Sequence, residues 1–228
     1  MASGQIGEHR GTADAQGLRR TDVLKASPPM FDSKLLDLFS RVHPAVPVLI
    51  FGPAIIAMEV WSLSKVAVAI SVGLFVGGYL LWTLFEYWLH RLVFHFEPQK
   101  GFGARLHWII HGVHHDHPND PLRLVMPPAV SVPLAAIVFG VMWLVAGGSY
   151  APGLASGFFA GYLFYDMLHY ALHHTVPSGR LGRALRERHM RHHFQDDTKG
   201  FGISAPYWDE VFQTSSVGGR GAQSRRAS

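Results

Sequence analysis

The chain has no cysteine and little charge. The first absence removes disulfide frameworks and cysteine-type zinc fingers, and leaves the compartment open. The second is sharper. Only 16% of the 228 residues are Asp, Glu, Lys or Arg, whereas 48% are hydrophobic. A soluble domain carries about 25% charged residues, so the deficit, with a mean hydropathy of +0.14, points to a membrane. No signal peptide is expected either. Residues 1–30 are polar, rich in Gly, Ala, Arg and Asp, and lack the required apolar core. They read as a disordered tail, with a second tail over 215–228 and one membrane domain between, 31–214. The net charge of +4 does not call for nucleic acid. The positive residues flank apolar runs, where the positive-inside rule accounts for them.

Four runs are long enough to consider as spans: residues 45–63, 66–89, 129–146 and 152–168, the last continuing as helix through His174. Pro47 and Pro53 predict a kink or late start in the first. Short connections at 62–65 and 147–150 make two antiparallel hairpins. Six Lys and Arg lie in 1–44, four in 90–127 and nine in 180–228, while the two hairpin turns hold only Lys65. That asymmetry places both termini and the central segment in the cytoplasm. Residues 31–43 alternate apolar and charged positions at helical spacing, as an interfacial helix does. The expected fold is all-α: four transmembrane helices in two hairpins with a cytosolic helical cap.

What the chain has in excess is histidine. Of fifteen, thirteen fall into four clusters: His90 with His95; His107 to His117; His169, His173 and His174; and His189, His192 and His193. Imidazole is the side chain suited to transition metals where thiolate is absent. His111, His114 and His115 are spaced i, i+3, i+4, and so are His189, His192 and His193. His169 and His173 are i, i+4. Each set projects from one helix face. His90 and His95, five apart, need a helix end or a π-like widening. About ten imidazoles exceed one ion's four to six ligands, so two ions are the simplest count. All four clusters follow cytoplasmic span ends or lie in cytoplasmic segments, so they can meet at one membrane face. His9 and His43 read as ordinary surface or core histidines, His107 and His117 stay undecided, and His174 is the weaker neighbour of His173. Glu86 and Asp166, carboxylates at the ends of apolar spans, are the candidates to receive the outer N–H of bound imidazoles. Asp196 and Asp197 read as solvated loop. Tyr162, Tyr165 and Trp82 are candidates to line a substrate approach, or ordinary interfacial aromatics.

The motifs His90-Arg-Leu-Val-Phe-His95, His111-Gly-Val-His114-His115-Asp-His-Pro-Asn-Asp, Arg123-Leu-Val-Met-Pro-Pro, Tyr165-Asp-Met-Leu-His169-Tyr-Ala-Leu-His173-His174 and His189-Met-Arg-His192-His193 resemble the fatty acid hydroxylase superfamily. Within it they are similar to the fatty acid 2-hydroxylases of sphingolipid acyl chains. Gly200-Phe-Gly-Ile-Ser and Trp208-Asp-Glu-Val-Phe-Gln-Thr match that group's closing segment, and the likeness runs over 85–214. The resemblance implies a di-iron centre, molecular oxygen as co-substrate and a lipid substrate. Zinc is an expected occupant in a purified sample, because polyhistidine sites bind it well. The implied ligands are His90, His95, His111, His114, His115, His169, His173, His189, His192 and His193. Eukaryotic members often carry a cytochrome b5 domain with a His-Pro-Gly-Gly motif. Here His43-Pro44 is followed by Ala45 and Val46. Electrons are therefore expected from a separate protein, cytochrome b5-like or a ferredoxin with its reductase. The expected location is a bacterial inner membrane, or the endoplasmic reticulum in a eukaryote, with the site on the cytoplasmic face. Sterol or carotenoid hydroxylases and lipid desaturases share the scaffold, but segments 123–128 and 200–214 favour the acyl 2-hydroxylase branch. A metal transporter or store is the rival of another class. Transport sites lie near the bilayer midplane, whereas these histidines lie at span ends and beyond.

Overall fold

Uninterrupted apolar sequence in hydrocarbon must satisfy its backbone within the segment, and a helix does so. The computed structural model, which describes residues 19–98 and 100–216, is helical, with no strand among the described residues. In chain order it has α1 (Arg20–Lys25), α2 (Lys34–Phe39), α3 (Ala45–Leu63) and α4 (Val68–Leu89). A π-helical turn, His90–Phe94, extends α4. Then come α5 (Gly101–His107), a second π turn (Trp108–Gly112) and α6 (Val113–Asp116). α7 (Pro128–Ala146), α8 (Ala151–His174), α9 (Arg180–Phe194) and α10 (Tyr207–Val211) complete the order. Pro47 falls in the first turn of α3, where its missing N–H forfeits no bond, and the helix continues through Pro53.

Three helical stretches are long and apolar enough to cross a membrane: Ala45–Leu63, Val68–Phe94 and Pro128–Ala146. The fourth run, α8, is long enough at 24 residues but not apolar enough. The reason is its position. α3, α4 and α7 pack around α8, most of its residues are buried, and it carries Asp166, His169 and His173 inward. A helix screened from lipid by three others needs no apolar exterior.

Small residues bring α8 against α4. Gly153, Gly157 and Gly161 recur every fourth residue along α8, the spacing by which membrane helices approach closely. A Cβ on Gly157 would lie 1.9 Å from the Phe75 carbonyl oxygen, and one on Gly78 would lie 2.0 Å from that of Leu154. At the end remote from the histidines, Glu59 of α3 accepts the Ser71 hydroxyl of α4 at 2.7 Å and the Ser156 hydroxyl of α8 at 2.6 Å. Aromatic packing fills the rest of the core, with Trp82 against Phe158 and Tyr162 and Phe51 against Tyr162.

The remaining elements form a cap over the end where α4 and α8 carry their histidines. The expected tail over 1–30 is corrected at its far end. Residues 19–30 contain α1 and a buried Met30. Leu24 O accepts the Asn119 N–H at 3.0 Å. Asp37 accepts the Met30 N–H and Arg123 Nη2, both at 2.7 Å, and Arg123 also reaches Pro28 O. Polar composition suggested disorder, but backbone carbonyls held by Arg105 and Arg123 order the segment. The parts of the expected tails at 1–18 and 217–228 lie outside the described residues.

Candidate metal centre

The ten histidines singled out above converge into two groups of five. In the first, His90, His95, His111, His115 and His192 each offer a ring nitrogen within 4.8 Å of the others. In the second, His114, His169, His173, His189 and His193 do the same. Local geometry explains the sorting. The His95 N–H bonds to His90 O at 3.1 Å, five residues back, so the π turn sets both rings on one side with centroids 4.9 Å apart. At positions 111–115 and in α9 the i, i+4 pair serves one group and the i+3 residue the other. His111 and His115 enter the first group and His114 the second; His189 and His193 enter the second and His192 the first. The groups adjoin where His115 and His193 stack, centroids 4.3 Å apart.

The donors fit metal ions. Nε2–Nε2 separations are 3.2 Å for His90 and His95, 3.0 Å for His111 and His115, 3.1 Å for His114 and His193, and 2.7 Å for His173 and His189. Neighbouring nitrogens about 2.1 Å from one ion stand roughly 3 Å apart at right angles. His169 Nε2 and His192 Nε2 are buried with no hydrogen-bond partner. Burial, with neighbouring imidazoles adding to it, pushes His95 down to about 2 and His115 to about 3. The same causes hold His111, His114, His189 and His193 well below the ordinary imidazole value. All are therefore neutral at pH 7, the form that binds metal.

Two of the outer nitrogens, both in the first group, find carbonyls, whereas Nδ1 of His173, His189 and His193 is buried with no hydrogen-bond partner among the described residues. His90 Nδ1 bonds to Phe201 O at 2.8 Å and His192 Nδ1 to Lys199 O at 2.7 Å. A carbonyl only accepts, so each Nδ1 carries the proton and leaves Nε2 free to bind. Two buried carboxylates clamp the loop that supplies those carbonyls. Asp209 accepts the Phe201 and Gly202 N–H groups at 2.9 Å. Glu86 accepts those of Ile203 and Ser204 at 2.8 Å, and the Ser204 hydroxyl.

Glu86 was expected to receive an imidazole proton directly; in the structure it holds the loop that does. Asp166 was expected to serve His169; instead its carboxylate takes the Tyr162 hydroxyl at 3.4 Å. Asp209 escaped the sequence reading, although it lies inside the closing motif. His107 and His117 join neither group and donate to Phe94 O at 2.7 Å and Val23 O at 2.6 Å. His174 packs against Tyr170 with the rings tilted, outside both groups. Trp82 and Tyr162 line a small apolar cavity with Phe51, Phe85 and Phe158. Tyr165 lies off that cavity, its ring 5.7 Å from His169.

Comparison with known proteins bears on this geometry. Residues 75–214 match the family model described as fatty acid hydroxylase. A dihydroceramide fatty acyl 2-hydroxylase of Arabidopsis thaliana is 36% identical over 212 residues, covering 92% of this chain and 89% of that protein. A ceramide very long chain fatty acid hydroxylase of Saccharomyces cerevisiae is 38% identical over 197 residues, 83% of this chain but 50% of that one. The solved structure titled full length scs7p, with only its hydroxylase domain visible, is similar with a TM-score of 0.79 at 32% identity, covering 84% of this chain and 73% of that chain.

Proposed function

Because this chain belongs to the fatty acid hydroxylase family, we propose that it hydroxylates a long fatty acyl chain at C2 in a membrane lipid, with two iron ions held by its two histidine groups. The observation that carries the reading is the pair of adjoining five-imidazole groups at the end of a bundle of apolar helices. Held by the ten histidines of the two groups, two iron ions would supply the reduction of molecular oxygen and the insertion of one oxygen atom into a C–H bond. Two electrons and two protons complete the balance, and the second oxygen leaves as water. The electrons come from a separate carrier, cytochrome b5-like or a ferredoxin with its reductase.

The chain's own residues bind, orient and exclude. His90 and His192, tautomers set by Phe201 O and Lys199 O, present Nε2 to the first group. Glu86 and Asp209 keep those carbonyls in place. His169 and His173, one turn apart near the end of α8, present nitrogens to the second group. Trp82, Tyr162 and Tyr165 stand between this group and the apolar interior, where an acyl tail is guided while water is kept out. α8 serves as a fourth, lipid-screened span, and the cap faces the cytoplasm, as the Lys and Arg asymmetry supports. The membrane is a bacterial inner membrane or the endoplasmic reticulum.

Lipids from cells making the wild type and His193→Ala, compared by mass spectrometry, test the reading. New 2-hydroxyacyl lipid in the wild type alone is the expected result, and it identifies the lipid carrier. A double bond, or a hydroxyl elsewhere or on another lipid, moves the protein to a sibling chemistry. No change, with normal membrane expression and an added reductase, overturns hydroxylation and revives metal storage or transport.

A further inference from the structure

The stretch that carries three of the first group's five ligands, His90, His95 and His111, is also unusually apolar on its outside. In the π turn after α4, Leu92 and Val93 are exposed, and Phe96 follows at 69%. Along α5 and the second π turn, Phe102, Leu106 and Ile110 are exposed at every fourth residue, Phe102 at 81%. The outer face of this helix is thus a Phe–Leu–Ile stripe, while His107 and His111 on another face turn toward Phe94 O and the metal centre. Ligands and exposed apolar residues alternate along one chain segment: His90, Leu92, Val93, His95, Phe96 and then Ile110 beside His111. A water-facing cap does not present such a surface unless something covers it.

What covers it is indicated by continuity and charge. Leu92 and Phe96 prolong the exposed face of α4 that begins with Leu81 and Phe85 inside the apolar span. Arg91, Lys100 and Arg105 lie in the same segment, against one acid, Glu97. An apolar stripe edged by cations fits the boundary between acyl chains and anionic headgroups. Arg105 binds Met30 O and so joins α5 to the segment leading into α2, whose leucines and Phe39 are exposed as well.

We infer that residues 92–98 and 100–110, with α2, form a collar inserted into the lipid leaflet beneath the cap, holding the first histidine group at the depth of the lipid carbonyls rather than above the membrane. The occupant of the apolar face is the leaflet itself. For the reaction, resting on the hydroxylase reading, this depth sets the carbon next to an acyl carbonyl level with the ligands. The chain then need not be drawn out of the bilayer to be reached at C2.

The absence of cysteine makes the test direct. Single substitutions Phe102→Cys, Ile110→Cys, Ile56→Cys and Ala184→Cys in the full chain are spin-labelled and reconstituted in vesicles of phosphatidylcholine with phosphatidylglycerol. Power saturation then compares accessibility to oxygen and to a water-soluble nickel chelate. Ile56, exposed within the α3 span, is the hydrocarbon reference, and Ala184, exposed on the arginine-rich α9, is the water reference. Labels at 102 and 110 are expected to favour oxygen over nickel, between the two references. Nickel accessibility equal to that of Ala184 overturns the collar. Low accessibility to both reagents overturns it too, by showing that a second copy or another part of the chain covers the face. Metal content checks that each variant has folded; where Phe102→Cys does not, Phe96→Cys replaces it. No turnover is needed, so the collar and the hydroxylase reading fail separately.

Discussion

Replacing Gly157 by alanine tests whether close approach of α4 and α8 builds the centre. The new Cβ would lie 1.9 Å from Phe75 O and 2.6 Å from Phe75 C, both backbone atoms of α4. Ordinary carbon contacts begin near ~3.5 Å. The helices must therefore part by about 1.5 Å at this level, since no side chain can rotate away. Overpacking of this kind costs roughly 1–3 kcal/mol. The larger effect is expected at the metals. α4 leads into His90 of the first group, and α8 carries His169 and His173 of the second. Parting these helices shifts one group against the other, and a misplacement of about 1 Å can cost ~10²-fold in rate. Thermal unfolding in detergent, metal content and hydroxylated lipid are measured together. Gly157→Ala is expected to lower the unfolding midpoint and reduce product by about two orders of magnitude. Gly77→Ala on the same α4 meets nothing within 4 Å and should be neutral or slightly stabilising, because alanine favours helix by up to about 1 kcal/mol. If the two variants behave alike, the close-approach argument is wrong.

Glu86→Ala leaves the Ile203 and Ser204 N–H groups without their acceptor, each worth about 1–3 kcal/mol when buried; metal analysis should find the first ion weakened, and undiminished binding of both ions would refute the clamp. His173→Ala should lose metal from the second group while His174→Ala keeps both ions, read by elemental analysis of the purified proteins. Metal-free protein should lose stability as pH falls below about 6.5. His95 and His115, pushed down to about 2 and 3, stay neutral in the fold while their unfolded counterparts take up protons. Thermal midpoints between pH 7.5 and 5 check the sign, and a flat profile would contradict it.

The histidine pattern was legible because helical spacing survives in sequence. The assignment of each histidine to a group was not. His114 and His115 are neighbours in the chain, yet they face different groups, and His192 parts from His189 and His193 in the same way. That choice depends on how each helix is rotated against its neighbours, which spacing alone does not reveal. The partners of the His90 and His192 outer nitrogens were hidden for another reason. They are backbone carbonyls at Phe201 and Lys199, which any residue could supply; Glu86, expected as a direct partner, clamps the loop instead, and Asp166 takes the Tyr162 hydroxyl. The extent of α8 was legible, as a run continuing in helix through His174; its burial among three other helices was not, because packing partners leave no mark on the spacing of one helix.

Two separate four- or five-ligand cages would each need their own helices. Here positions 111–115 and α9 each feed both groups, so the same two helices fix both centres and their spacing. The i, i+3, i+4 pattern achieves this because residues 3 and 4 positions on fall on opposite sides of the first, about 60° behind and 40° ahead on a helix of 3.6 residues per turn. Such an arrangement suits chemistry that needs two ions in one fixed relation. It gives no advantage to a store, where sites can fill independently, and none to a carrier, whose site must open to both membrane faces. The stacked His115 and His193 rings, one from each group, stand where that relation is closest.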